Sequence, residues 1–154
     1  MHIRLLAVGD RQPSWVDAAF DSYAARVPRN WQFRLDALAT AKRAGNAAAA
    51  RDAESQRILD KTRPAEFVVL LDEQGTQLTS RDLADKLEEW QTVGQDLVFV
   101  IGGPDGVAQS VRERSNFTWS LSRLTLPHGL ARVLFAEQLY RAWSLTTGHP
   151  YHRD

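Results

Sequence analysis

Two uninterrupted runs of apolar residues, with a helical pattern between them, constrain the fold more than any other feature of the sequence. The sequence EFVVLLD covers residues 66–72, and DLVFVI covers residues 96–101. A strand whose side chains are apolar on both faces of the sheet must be covered on both of those faces. Between the two runs a helix is predicted from about Ser80, and its apolar stripe consists of Leu83, Leu87 and Trp90. This order of strand, helix and strand favours a sheet with helices packed on its faces.

The same alternation continues through the rest of the chain. Further strands are predicted at HIRLLAV, WQFRLDA and FTWSLS, which cover residues 2–8, 31–37 and 117–122. The last helix is predicted from about residue 130 to residue 146, and DEQG at residues 72–75 is predicted as a turn. Five alternations of this kind predict an α/β fold with one largely parallel sheet flanked by helices. A length of 154 residues without a linker or repeat predicts a single domain over residues 1–154.

The composition limits the kinds of site and partner to be expected. The chain contains no cysteine, which excludes disulfides and thiolate metal ligands and fits a cytoplasmic location. The apolar run at residues 2–8 is too short for a signal peptide, and no segment is predicted to span a membrane. The net charge is zero, although residues 120–153 carry four arginines and one glutamate. Local charge drift of this size is common, so charge alone predicts no nucleic-acid partner.

The sequence GGPDG at residues 102–106 directly follows the second apolar run. Ligands of open α/β sheets bind at the carboxyl ends of strands, and glycine lets another group approach the backbone closely. The stretch matches neither Gly-x-Gly-x-x-Gly nor the P-loop pattern, so no dinucleotide or P-loop site is predicted. Two interpretations stay open. The stretch is either a tight turn whose proline opens the next helix, or backbone that packs against a ligand or another chain segment.

A broken apolar stretch, SLSRLTLPHG at residues 120–129, precedes the last predicted helix. Pro127 pushes Leu126 into an extended conformation, so an extended loop is predicted. Its backbone N–H and C=O groups need partners wherever they are buried. Those partners are either other groups of the protein or the edge of a bound base such as adenine, and the residues leave both interpretations open.

His128 and the C-terminal residues are the remaining candidates for chemistry. A histidine at a helix start is commonly a surface residue, but it can also contact a phosphate or accept a proton. Tyr151 can stack on a base, and Arg153 can bind a phosphate. His149 and His152 have the spacing of two metal ligands but no obvious acidic partner, so no metal site is predicted.

Taken together, IGGPDG, SLSRLTLPHGLARVLFAEQLYRAW and HPYHRD resemble one family closely. They are similar to the small SPOUT-class methyltransferases that methylate N3 of a pseudouridine in bacterial large-subunit (23S) ribosomal RNA. The similarity also includes RLLAVG, AKRAGNA and LLDEQG, so it covers essentially the whole chain. GGPDG alone is only moderately specific, but its combination with the later stretch and the Tyr-His-Arg tail is highly specific.

The resemblance implies a fold and a cofactor. The expected fold is a single-domain SPOUT fold whose C-terminal part is threaded as a trefoil knot, an arrangement that is very rare in proteins. Three loops would then form the binding site for S-adenosylmethionine, with glycines that let crossing segments and the cofactor approach closely. The residues assigned to this site are Leu71, Gly102, Gly103, Ser122, Arg123, Leu124, Thr125, Leu126 and Pro127.

The resemblance also implies a reaction and its partners. The expected enzyme is a homodimer that methylates 23S rRNA within the large subunit or the assembled ribosome. Since no RRM or KH signature occurs, recognition would depend on RNA that is already folded. The substrate-side candidates are His128, Tyr151, His152 and Arg153. His128 would position the base or accept its proton, and Arg153 would balance negative charge.

Two other functions were weighed against this one. The chain could be a non-enzymatic ribosome-binding factor built on a methyltransferase scaffold, which would bind ribosomes without binding the cofactor. A Rossmann-type nucleotide enzyme is disfavoured because Gly-x-Gly-x-x-Gly is missing.

Overall fold

The computed structural model describes residues 1–43 and 45–152. The strands are β1 (Ile3–Val8), β2 (Arg34–Leu38), β3 (Phe67–Gln77), β4 (Leu97–Ile101) and β5 (Phe117–Ser120). The helices are α1 (Ser14–Ala24), α2 (Ala47–Lys61), α3 (Ser80–Thr92), α4 (Gln109–Arg114) and α5 (His128–Thr147), with a short 3-10 helix at Arg29–Trp31. All neighbouring strands pair in parallel in the order β2-β1-β4-β3-β5. The predicted α/β fold with a parallel sheet is confirmed.

The sheet is covered on both faces, as its continuous apolar strands require. Every residue of β1 and β4 is buried. On one face α5 packs against α1 and α3, and its Phe135 lies 4.7 Å from the Phe99 ring of β4, measured between ring centroids. On the other face Ile58 of α2 and Val111 of α4 cover Val98 and Val100. Successive side chains of β4 therefore pack against the helices on opposite faces of the sheet.

β3 is longer than predicted and includes the DEQG sequence, so the turn predicted at residues 72–75 is wrong. The strand continues to Gln77, and its pairing with β5 shifts register between Leu71 and Thr76. A β-carbon added to Gly75 would lie 2.7 Å from the carbonyl carbon of Thr118. Glycine therefore allows close approach of two strand backbones here, where the prediction had only a turn signal to use.

Further boundaries also differ from the predictions. β5 ends at Ser120, although the strand was predicted to continue to residue 122. The strand predicted at residues 31–37 begins at Arg34, because Gln32 ends the 3-10 helix in the left-handed conformation with φ of 45°. The last helix starts at His128 rather than near residue 130, with Pro127 as its N-cap in an extended conformation. His128 is consequently fixed at the first turn of a long helix. The single domain over residues 1–154 stays a prediction, although all five strands belong to one sheet.

Candidate active site

A cavity lies beside the middle of β3 and the ends of β4 and β5, and three chain segments line it. They are residues 70–73, residues 101–107 apart from Asp105, and residues 121–126 apart from Arg123. His128 and Ala131 of α5 complete the lining. Seven of the residues predicted for cofactor binding line this cavity, namely Leu71, Gly102, Gly103, Ser122, Leu124, Thr125 and Leu126. The two motifs that were distant in the sequence therefore meet at the carboxyl edge of the sheet.

Arg123 and Pro127 belong to the same loop but do not line the cavity. The Arg123 side chain is exposed, and its Nε donates a hydrogen bond to Oε1 of Gln77 at 3.1 Å. Pro127 is exposed at the N-cap of α5. Their predicted part in cofactor binding stays a prediction.

The glycines of GGPDG make room for neighbouring protein groups. A β-carbon added to Gly102 would lie 2.6 Å from Cγ1 of Val107, and one added to Gly103 would overlap the carboxylate of Glu54. Gly106 has a φ of 76°, and its N–H donates to the carbonyl of Gly103 at 3.0 Å. The segment is thus a tight turn, but α4 begins only at Gln109, so the proline does not open that helix.

Hydrogen bonds hold the 121–126 loop in shape. The hydroxyl of Ser120 donates to the carbonyl of Ser122, and the hydroxyl of Ser122 accepts from the N–H of Leu124, both at 2.9 Å. The Thr125 hydroxyl donates to Oε2 of Glu73 at 3.1 Å, across the mouth of the cavity. These contacts fix the loop through side chains, as expected for a segment outside helix and sheet.

His128 is half-buried and lies between the cavity and a second cleft. That cleft is lined by Val8, Gly9, Asp10, Arg11, Gln12, Thr40, Pro104 and His128. Burial lowers the pKa of His128, and the positive charge of Arg132 lowers it further. The charge of Glu54 and a hydrogen bond to the Val8 backbone act in the opposite direction, with smaller effects. The imidazole is therefore neutral at pH 7 and can accept a proton.

Two charged residues beneath this region were missed by the sequence analysis. Glu54 is 2% exposed; its Oε2 accepts from the Ala41 N–H at 3.0 Å, and its Oε1 has no partner among the described residues. Arg132 is also 2% exposed and donates a hydrogen bond to the carbonyl of Gly9. A signal was present in both helices, because each charge occupies the buried stripe. Glu54 is spaced with Ala50 and Ile58, and Arg132 with Phe135, Ala136 and Leu139.

The C-terminal tail packs against the second half of α5. The Tyr151 hydroxyl donates to Oε1 of Glu137 at 3.1 Å, and the Tyr151 and Tyr140 rings lie 4.5 Å apart. Burial, with the nearby charge of Glu137, raises the pKa of Tyr151 to about 12, so its hydroxyl is a donor at neutral pH. Nδ1 of His152 lies 3.2 Å from the Ser144 hydroxyl. Arg153 lies outside the described residues.

The tail and the cavity are therefore separate within one chain. His128 is the first residue of α5 and Glu137 follows nine positions later, so about 13 Å of helix axis separates them. Neither Tyr151 nor His152 lines the cavity. Residues 1–43 and 45–152 contain no cluster of His, Asp or Glu side chains that could hold a metal ion. No helix within those same ranges has the length and apolarity needed to cross a bilayer.

Comparison with known proteins identifies the family. A family model described as "Predicted SPOUT methyltransferase" matches residues 1–152. Proteins named ribosomal RNA large subunit methyltransferase H from Thioalkalivibrio sulfidiphilus and Thiobacillus denitrificans are 46% and 47% identical, over the full length of this chain and of each relative. The solved structure of a probable methylase family protein from Haemophilus influenzae Rd KW20 shares the fold. Its TM-score is 0.52 at 13% identity, over 99% of this chain and 70% of that chain. The chain belongs to the SPOUT methyltransferase family, within the group of ribosomal RNA large subunit methyltransferase H.

Proposed function

We propose that this protein transfers a methyl group from S-adenosylmethionine to N3 of a pseudouridine in 23S rRNA. The observation that carries the proposal is the convergence of residues 70–73, 101–107 and 121–126 beside His128 in one cavity. Such a cavity at the carboxyl edge of a parallel sheet is where this fold class binds ligands. A ribosomal substrate would place the protein in the cytoplasm.

The residues around the cavity fit the proposed cofactor. Leu70, Leu71 and Leu126 offer apolar surface for a flat base, and the absent side chains of the glycines let a ligand reach the backbone. Glu73 places a carboxylate in the lining that would attract a sulfonium or ammonium group, whereas the carboxylate of Asp72 is already paired with Arg112 at 2.8 Å. When bound, S-adenosylmethionine supplies a methyl group that is already electrophilic.

The protein's own part in the reaction is to orient the base and to remove its proton. His128 is placed for the second task, because its neutral imidazole lines the cavity. An imidazole nitrogen of His128 would accept the N3 proton and later release it to solvent. The bound cofactor would supply the methyl group, since its sulfur–methyl bond breaks with the electron pair left on sulfur and S-adenosylhomocysteine departs. Arg153 is proposed to balance the negative charge of the deprotonated base or of a phosphate.

We propose that the active form is a homodimer. Tyr151 and His152 are distant from the cavity of their own chain, so they can act on the substrate only at a partner's cavity or after rearrangement. Leu130 and Leu134 are 40% and 39% exposed and lie four residues apart on one side of α5, which is typical of a helix that packs against another surface. This leucine pair is the proposed centre of the dimer interface.

The trefoil knot stays a proposal. It is supported by the path of the chain, which leaves the edge strand β5 and passes the cavity before α5 packs between α1 and α3. A crystal structure of the protein with its cofactor would test the threading, and an open path between residues 101–107 and 121–126 would exclude it.

Two measurements test the function. Calorimetry should show S-adenosylmethionine binding to the purified protein without RNA, and the absence of heat at millimolar cofactor would contradict the proposal. Mass spectrometry of 23S rRNA from a strain without the gene should show the loss of one methyl group on a pseudouridine. The ribosome-binding factor predicts instead that ribosomes bind while cofactor does not. Replacing Gly103 with tryptophan should abolish methyl transfer, but would leave the activity of such a factor intact.

A further inference from the structure

The second cleft, next to His128, has no assigned part in the proposed reaction. It lies at the carboxyl ends of β1 and β2, while the proposed cofactor cavity lies beside the middle of β3 and the ends of β4 and β5. The two share only Pro104 and His128 among the residues that line them. A group bound in the cleft and a cofactor bound in the cavity would therefore lie on either side of His128.

Buried groups hold the β1 side of this cleft. Gly9 has a φ of 119°, a backbone conformation that residues with a side chain rarely adopt. Its N–H donates to the carbonyl of Leu38 at 2.6 Å. Its carbonyl accepts from the buried guanidinium of Arg132. Burying a charged arginine costs free energy unless hydrogen bonds of good geometry offset the cost. The bond from Arg132 to the Gly9 carbonyl therefore indicates that the conformation of the Gly9 turn is important.

The β2 side of the cleft is held in a similar way. Thr40 lines the cleft between two anchored neighbours. The carbonyl of Ala39 accepts from Nη1 of Arg57 at 2.6 Å, and the N–H of Ala41 donates to the buried carboxylate of Glu54 at 3.0 Å. Both sides of the cleft are thus fixed before any ligand arrives, which reduces the ordering cost of binding.

The charge at the rim favours an anion. Arg11 lines the cleft and Lys42 follows Thr40 by two positions; both side chains are exposed. Arg43 is also exposed, but it pairs with Asp105 at 2.5 Å. Asp10 is the one acid among the described residues that line the cleft. Exposed arginine and lysine beside a preformed cleft are the groups that proteins use to position nucleic-acid phosphates.

We propose that the second cleft binds an RNA phosphodiester next to the target nucleotide, with Arg11 and Lys42 as its cationic contacts. This inference rests on the proposed function, and it assigns the path of the RNA: across His128, from the ends of β1 and β2 toward the cofactor cavity. The target base enters the cavity while its neighbouring phosphate stays in the cleft.

The test compares Arg11→Ala, Lys42→Ala and the double variant with wild-type protein. Ribosomes from a strain lacking the gene serve as substrate. Each single variant should raise KM roughly five- to tenfold, as expected for loss of a charged contact, and leave kcat within about twofold. The salt dependence of ribosome binding should fall by about one unit of slope per cation removed. Arg11→Lys should keep most of the affinity.

The matched control is Arg29→Ala, which removes an exposed arginine before β2 and hence at the opposite edge of the sheet. A double variant whose KM and salt slope equal those of this control would overturn the inference. So would a parallel loss of S-adenosylmethionine affinity, since the cleft would then belong to the cofactor site. If wild-type protein transfers no methyl group, the proposed function fails. Sedimentation of the same variants with ribosomes then still decides whether the cleft binds RNA.

Discussion

The carboxylate of Glu54 packs against Gly103 so closely that a β-carbon at residue 103 would overlap its Oε1 atom. The next residue of α2, Ser55, accepts a hydrogen bond from the N–H of Ala108 at 2.8 Å. Two consecutive buried polar residues of one helix thus hold the GGPDG turn on both sides. The cavity proposed for the cofactor is therefore shaped from behind, by a helix that does not line it.

Gly103→Ala is the direct test of this relationship. The added methyl group would displace either the turn or Glu54, and the dissociation constant for S-adenosylmethionine should rise roughly tenfold. Adding Glu54→Ala makes room and should bring affinity back to within about threefold of the Glu54→Ala protein alone. Adding Glu54→Gln instead keeps the volume and should restore nothing. Isothermal titration calorimetry compares the wild type, the two single variants Gly103→Ala and Glu54→Ala, and the two double variants. Equal rescue by Glu54→Ala and Glu54→Gln would show that the charge of Glu54, and not its volume, causes the loss of affinity.

The pH dependence of methylation should report the protonation of His128. Its pKa lies below 6.5 because of burial and Arg132, so activity should be constant near neutral pH and decline as the imidazole becomes protonated. Glu54→Gln removes a negative charge that raises this pKa. In a plot of kcat against pH, the acid limb should therefore move to lower pH. The pKa of His128 measured by NMR should also fall. Movement of the limb toward higher pH would contradict the assignment.

Removal of residues 150–154 should separate binding from chemistry. Cofactor affinity should stay within about twofold of wild type, because the described tail residues pack on α5 and not on the cavity, whereas methylation should be lost. Arg153→Ala should likewise impair catalysis more than folding. Equal losses of affinity and activity would show that the tail has a structural role instead.

Mixed dimers test whether the tail acts at the partner's cavity. A chain carrying His128→Ala and a chain lacking residues 150–154 should each be inactive alone. After mixing and subunit exchange, activity should recover to about a quarter of wild type, because half of the dimers are mixed and each has one intact site. No recovery, with exchange confirmed by mass spectrometry, would place the tail and cavity of one chain in the same site.

Leu134→Glu should convert the dimer to monomers. A charge on the exposed side of α5 opposes burial of that surface, so light scattering should report half the mass while circular dichroism is unchanged. Methylation should fall with the dimer. Val93→Glu, which changes an exposed apolar residue at the end of α3, is the matched control and should stay dimeric and active. A dimeric Leu134→Glu protein would move the interface elsewhere.

The sequence predicted the parts of the fold that depend on local pattern. Continuous apolar runs identified β3 and β4, and the alternation of strands with helices indicated a parallel sheet covered on both faces. The continuation of β3 through residues 72–77 could not be predicted in this way. It depends on Gly75 lying against the backbone of Thr118, a contact between residues that no local signal connects.

The candidate site was predicted from the family resemblance more than from the residues themselves. Gly102, Gly103 and four residues of the predicted loop line the cavity, while the buried charges beside them were not predicted. Glu54 and Arg132 were overlooked because a charge on a buried stripe looks like an exception to helical periodicity rather than a signal. For Tyr151 the sequence indicates an aromatic ring that can stack on a base, but it carries no signal that the ring and hydroxyl both contact α5.

The strand order also determines when this protein can begin to function. β1 at residues 3–8 pairs with β4 at residues 97–101, and β3 is completed only by β5 at residues 117–120. A chain emerging during synthesis therefore has no central strand pair until about two-thirds of it exists, and such distant pairings form slowly. The cavity is also lined by His128, so cofactor affinity should appear late in synthesis, and chains truncated before His128 should lack it altogether.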